Sequence, residues 1–85
     1  MTDPQQITVD FTPGEGAVGR IVGLVERRGF ELRGLAMHDR DGRASMTLDL
    51  IARDTGRRLD VLDLQLRRLF GVHHVSTSPA TDIAQ

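Results

Sequence analysis

The sequence predicts an α+β domain of order βαββαβ, with four antiparallel strands in one sheet and two helices covering one of its faces. Three observations carry that prediction. Period-two alternation of apolar and polar residues marks one extended stretch near the start of the chain and another in its middle. An i, i+3, i+4, i+7 apolar stripe at Val18–Val25 and a second one-sided helical stripe from Leu59 to Phe70 mark two helices, and an Asp-Gly pair separates the two central extended stretches. The strand–helix–strand unit therefore appears twice, which is the split arrangement of ferredoxin-like folds. Eighty-five residues hold one core. Residues 1–78 are expected to form it, with 79–85 as a frayed C-terminal tail.

Ile7-Thr8-Val9-Asp10-Phe11 alternates as a strand with one buried face, and Thr12-Pro13-Gly14 breaks it. From Glu15 the apolar residues fall at Val18, Ile21, Val22 and Val25, so a helix is expected to run to about Arg28. Gly29 stops it, with Arg27 and Arg28 beside the negative end of the helix dipole. Phe30–His38 is the second strand, Asp39-Arg40-Asp41-Gly42 the turn, and Ala44–Arg53 the third strand. In that strand Met46, Leu48, Leu50 and Ala52 share one face, while Thr47, Asp49 and Ile51 point to the other, so one side of the sheet is covered and the other is largely polar. After the loop Asp54-Thr55-Gly56, the residues Leu59, Leu62, Leu66, Leu69 and Phe70 trace one side of a second helix that Gly71 ends. Val72–Thr77 is the last strand, and Ser78–Gln85 carries no periodicity.

In this order of elements the second and fourth strands lie at the sheet edges. Strand 30–38 has no Pro and no Lys, and Arg33 is its one basic residue before the His38 at its end, so it lacks most of the devices that discourage edge pairing. A domain this small is marginal alone and gains stability by association. The expected partner is a second copy, forming a homodimer by antiparallel pairing of the two 30–38 strands, with Arg33 and Leu35 in the contact.

Composition removes several function classes. Lys+Arg 11 against Asp+Glu 12 leaves a formal charge of -1, too balanced for a chain whose main partner is nucleic acid or an anionic membrane. Without Cys there are no disulfides, thiolate metal sites or thiol nucleophiles, which suits a reducing interior such as the cytoplasm. No apolar run reaches the roughly 18–20 residues of a membrane span, and Met1–Gln6 lacks the pattern of a signal peptide. All basic residues apart from His are Arg, and Asn, Trp and Tyr are absent.

Few residues point to chemistry. His73 and His74 are neighbours on a strand and are expected to face opposite ways, with His38 at another strand's end, so no metal site is expected. Gly14-Glu15-Gly16 opens the first helix, where free backbone N–H groups can receive an anion, yet it is neither a Walker loop nor a dinucleotide fingerprint. Gly19 and Gly23 follow on the face opposite Val18–Val25, either because something approaches that backbone or through compositional drift. On the second helix Val61 and Leu64 stand away from the apolar stripe, with Arg68 four residues after Leu64, and form a candidate docking surface. Acylphosphatases share the topology but need an Arg in the first loop and a strand Asn, and this chain has no Asn and no Arg before Arg20. RNA-recognition domains stack bases on sheet aromatics, whereas here Phe11 and Phe30 are expected in the core and Phe70 on a helix.

The run Gly16-Ala17-Val18-Gly19-Arg20-Ile21-Val22-Gly23-Leu24-Val25-Glu26-Arg27-Arg28-Gly29-Phe30 resembles an ACT domain, in particular the small regulatory subunit of acetohydroxyacid synthase (acetolactate synthase). Its spacing is similar to that family's G-x-[LV]-x-R-[IV]-x-x-[LV] and R-G-[FY] elements. Leu59-Asp60-Val61-Leu62, Gln65-Leu66-Arg67-Arg68-Leu69 and Val72-His73-His74-Val75 look like its Q-L-x-K-L helix and closing strand, so the likeness covers about residues 7–77. The chain is similar to the short, single-domain kind associated with a valine-insensitive isozyme, as the acidic Asp49 also suggests. The resemblance implies a non-catalytic accessory subunit with no cofactor of its own, a large catalytic subunit as partner, and a role in branched-chain amino acid biosynthesis. It also implies an effector site for a small amino acid at Pro13, Gly14, Glu15, Gly16, Ala17, Val18 and Glu31. The family's N-x-x-G-x-L loop reads Pro13-Gly14-Glu15-Gly16-Ala17-Val18 here, and Glu31 stands where the family has a second Asn. Both Asn positions therefore depart from the pattern, and valine is expected to bind weakly or not at all. A free-standing ACT module that senses an amino acid and regulates another enzyme is the competing reading, and a purely structural assembly domain is the third.

Overall fold

A computed structural model of the chain describes residues 4–54 and 58–79. The elements are β1 (Gln5–Phe11), α1 (Ala17–Arg27), β2 (Phe30–Arg40), β3 (Arg43–Ala52), α2 (Leu59–Arg67) and β4 (Val72–Pro79). The four strands form one antiparallel sheet in the order β2-β3-β1-β4, so the ferredoxin-like βαββαβ topology holds and β2 and β4 are its edges. Alternation sends Ile7, Val9 and Phe11 of β1, and Ala44, Met46, Leu48 and Leu50 of β3, into the core. Ala17, Ile21, Leu24 and Val25 from α1 and Leu62 and Leu66 from α2 close over them. The opposite face is polar: Gln6 Nε2 donates to Asp49 Oδ1 at 2.9 Å, and the Thr8 and Thr47 hydroxyls lie 3.3 Å apart. No buried polar side chain occurs among the described residues.

Several boundaries differ from the sequence-based expectation. α1 begins at Ala17 rather than Glu15, because Gly16 takes a left-handed conformation (φ 78°) and holds the N-cap position. The first turn then packs through Ala17, and Val18, about 100° further round the helix, is left 37% exposed instead of joining the buried stripe. The expected four-residue turn shrinks to Asp41-Gly42, whose φ angles of 53° and 79° fit a type I′ hairpin, and β2 extends to Arg40. Phe70 is the clearest correction. α2 ends at Arg67, and hydrogen bonds from Arg68 N to Gln65 O and Leu69 N to Leu66 O tighten the chain beyond it, turning Phe70 outward to 92% exposure. β1 begins two residues before Ile7, and β4 continues through Ser78 and Pro79. Thr55, Gly56 and the tail beyond Pro79 lie outside the described residues.

The edge strand β2 is bulged. Leu32 pairs with Leu50 and Gly34 with Asp49, which leaves Arg33 as the extra residue. The bulge is itself a device that discourages edge pairing, so β2 is less bare than its composition suggests. It also returns Leu35 and Met37 to the helix-covered face, opposite Leu48 and Met46. The helices do not reach that far across, and the two side chains stay 45% and 42% exposed.

Candidate functional site at the start of α1 and the β2 edge

The segment between β1 and α1 sits at the hairpin end of the sheet, anchored by Thr12. Its N–H donates to Gly71 O at 2.8 Å, and its hydroxyl lies 2.6 Å from His73 Nε2, tying the segment to the start of β4. Ala17 N donates to Gly14 O at 3.1 Å, and Arg20 N to Gly16 O at 3.0 Å opens the regular helical ladder. The N–H groups of Val18 and Gly19 thus have no partner among the described residues, and α1 has no side-chain cap. Two free donors at the positive end of a helix dipole are suited to a carboxylate. The Arg20 side chain folds back over the segment, with Nη1 3.5 Å from Glu15 O and 3.1 Å from where a Cβ on Gly16 would stand. A side chain on Gly16 would meet that guanidinium as well as a φ that favours glycine.

The expected ligand residues do not all meet within one chain. Pro13, Gly14, Glu15, Gly16 and Val18 are exposed around the start of α1, and Ala17 is buried beneath it. Glu31 is exposed at the far end of the sheet, where its pairing with Ile51 puts it on the polar face, away from the helices. Arg33 and Leu35 lie on the outer edge of β2. In a two-residue hairpin the residues flanking the turn form a hydrogen-bonded pair, so Arg40, His38, Ala36 and Gly34 direct their backbone groups to β3. Leu35, Met37 and Asp39 direct theirs to the open edge.

On α2, Val61, Leu64 and Arg68 are exposed on the side away from Leu62 and Leu66, with Val61 at 41% and Leu64 at 58%. The helix start is held by Asp60, which accepts from Val61 N at 2.9 Å and pairs with Arg58 at 2.6 Å. The Arg58 guanidinium holds the Asp60 carboxyl below the usual range. The histidines stay apart. His38 pairs with Ser45, His74 with Asp10, and a bulge at Asp10/Phe11 makes His73 the extra residue of β4, which lifts the strict alternation expected of the two neighbours. Among the described residues no group of three His, Asp or Glu is arranged to hold a metal. Among the described residues outside its own helix backbone, nothing comes within 4 Å of where a Cβ on Gly19 would stand, and the Arg27 side chain alone comes that near to one on Gly23.

Two features escaped the sequence reading. Arg20 belongs to the candidate site, although a lone Arg four residues after Gly16 reads as an ordinary solvated helix position. Gly34 lets the Asp49 carboxylate lean across β2, with Oδ2 2.9 Å from where a Cβ would be, and an isolated Gly within a strand pattern is the signal for such a close approach.

The family model of the ACT domain matches residues 13–75. The ACT domain from GTP pyrophosphokinase of Chlorobium tepidum superposes with a TM-score of 0.76 at 20% identity, covering 92% of this chain and 100% of that one. The C-terminal domain of the MgtC protein from Mycobacterium tuberculosis gives 0.74 at 24% identity over 93% and 88% of the two chains. Formyltetrahydrofolate deformylase from Burkholderia mallei gives 0.71 at 21% identity, covering 91% of this chain and 28% of that enzyme. At these identities the likeness is one of fold. No curated protein matches in sequence. Among the described residues no helix is long and apolar enough to cross a membrane. With the family model spanning most of its length and the βαββαβ sheet in place, the chain belongs to the ACT-domain family.

Proposed function

We propose that this chain is a non-catalytic regulatory ACT module that works as a pair, two copies joined along β2, with a small amino acid or related carboxylate bound at the start of α1. The observation that carries this reading is the pair of unpartnered N–H groups at Val18 and Gly19, with the Arg20 guanidinium folded over the same segment. A carboxylate placed there accepts two main-chain hydrogen bonds and faces a fixed positive charge. The open backbone groups of Leu35, Met37 and Asp39 supply the means of pairing. Antiparallel pairing of two β2 strands would bring Glu31 of the second copy to the hairpin end of this sheet, the end that carries the α1 start. Pro13 offers neither a side-chain donor nor an N–H, so the module selects against ligands that need an amide at that point, valine among them.

Calorimetric titration with the set of free amino acids tests the reading. At least one is expected to bind with a single site per chain, and Arg20→Gln is expected to weaken it by about tenfold, as loss of a charge-assisted contact does. Absence of binding at millimolar concentration for every amino acid would overturn the sensing role.

A finer reading is that the module is the accessory subunit of acetohydroxyacid synthase. It is supported by the match to that family's residue pattern from Gly16 to Phe30 and by the apolar outer side of α2, where Val61, Leu64 and Arg68 offer a docking surface for a large catalytic subunit. Capture of a thiamine-dependent large subunit from the native host supports it, and capture of a different enzyme points to the sensor of another pathway. The similar domains of a pyrophosphokinase and a deformylase are in keeping with an accessory role beside a catalytic unit.

A further inference from the structure

We propose that the second copy joins β2 in one register, with the two-fold axis between the two Ala36 residues, and that His38 of the second copy lies over Gly34 and bonds to the Asp49 carboxylate behind it. The inference rests on the reading that two copies join along β2, and it adds which residues meet. Backbone geometry narrows the choice first. Only Leu35, Met37 and Asp39 present N–H and C=O groups to the open edge beyond the bulge, and an antiparallel ladder needs such residues to face one another. The axis must then fall at a residue from 35 to 39, and an axis at 38 or 39 sets Leu35 against the hairpin turn or past the end of the second copy's β2, which leaves 35, 36 and 37.

Side chains separate these three. An axis at Ala36 sets Leu35 opposite Met37 of the second copy and the reverse, joining four half-exposed apolar side chains on the helix-covered side. It also brings Arg33 level with Asp39 of the second copy, an opposite-charge pair formed twice. An axis at Leu35 instead sets Glu31 level with Asp39 of the second copy, like charge against like. An axis at Met37 sets Leu35 opposite Asp39.

The Ala36 register also accounts for a feature that the single chain leaves unused. Gly34 and His38 of the second copy become a non-hydrogen-bonded pair, the closer kind, with Cα atoms about 4.5 Å apart. Both positions face the polar side of the sheet, and Gly34 has no side chain there. Into that gap the Asp49 carboxylate already leans, with Oδ2 2.9 Å from where a Cβ of Gly34 would stand. Its Oδ1 accepts from Gln6 Nε2 at 2.9 Å, and its Oδ2 has no hydrogen-bond partner among the described residues. An imidazole N–H arriving over Gly34 meets that free oxygen, and the two-fold axis forms the contact twice.

The chain has no Cys, so single cysteines report the register cleanly. Leu35→Cys, Ala36→Cys and Met37→Cys are each oxidised mildly at a concentration where light scattering gives the wild-type mass. Cysteines facing each other at the axis lie within the Cα range for a disulfide, whereas the other two symmetric pairs are displaced by two residues and lie beyond about 7 Å. Ala36→Cys is expected to cross-link fastest, and a dimer that links fastest at Leu35 or Met37 overturns the register while leaving the pairing of two copies intact. A monomer overturns both. For the side-chain contact, His38→Ala and Asp49→Asn are each expected to raise the dimer dissociation constant by about twofold to thirtyfold for two contacts, with the double variant little worse than either. Effects that simply multiply would overturn the His38–Asp49 contact.

Discussion

Replacing Gly34 by Ala places a new carbon 2.9 Å from Asp49 Oδ2, inside any real contact, while Asp49 Cβ and Cγ at 3.7 Å remain in ordinary contact. Only the carboxylate has to move, and in moving it loses the 2.9 Å hydrogen bond from Gln6. A bond to a charged acceptor contributes about 1.5–3 kcal/mol, and these half-exposed side chains put it near or below the lower figure. Against that, Ala narrows the unfolded ensemble and returns about 0.4–1 kcal/mol, with no strain, since Gly34 is not among the glycines of positive φ. The expected balance is a loss of about 0.5–1 kcal/mol, or a Tm lower by about 2–8 °C for a domain of this size. In an Asp49→Ala background the obstacle is gone and the same substitution is expected to stabilise by about 0.4–1 kcal/mol. The assay is thermal or urea unfolding of the four proteins at two concentrations about a hundredfold apart, which exposes any contribution from association. A Gly34→Ala effect of the same sign and size in both backgrounds would refute the close approach of Asp49.

Leu64→Glu on the outer side of α2 is expected to change stability by no more than about 0.5 kcal/mol, since its side chain is largely in water. It is expected to abolish capture of a large catalytic partner, and equal recovery with the wild type would remove α2 from the interface. Asp60 has its carboxyl pKa lowered by Arg58, so its contribution at the start of α2 is present above the ordinary carboxyl pKa and lost as pH falls through the lowered one. Asp60→Asn should therefore lower Tm slightly at neutral pH and leave it unchanged in acid, as a melting series across pH would show.

The order of elements was legible because each carries its own period: alternation at Ile7–Phe11 and Met46–Leu50, and helical spacing from Leu59 to Leu66. The bulge was written in the sequence too. Apolar residues fall at Phe30 and Leu32, then shift phase to Leu35 and Met37, which a regular strand does not do. Phe70 was not legible, because its direction depends on how the end of α2 closes, and spacing alone continues the buried stripe through it. The start of α1 could be picked out from its glycines, but the return of the Arg20 side chain over Gly16 depends on the left-handed turn there. Glu31 could not be placed against Pro13–Val18 from spacing, since β2 starts at the opposite end of the sheet and only a second copy would bring one to the other. The Gly34–Asp49 approach joins residues on different strands, and its one sequence trace is an isolated strand glycine.

In the proposed pair, the free edge of β2 is covered by a second copy of this chain. Light scattering at micromolar concentration tests it most directly, comparing the wild type with Leu35→Pro, which removes an N–H that points to the open edge and spares the bonds to β3. Twice the 9.4 kDa chain mass is expected for the wild type and the single-chain mass for a folded Leu35→Pro. A wild-type chain that scatters as a monomer, or a dimer that Leu35→Pro leaves unchanged, would contradict the pairing.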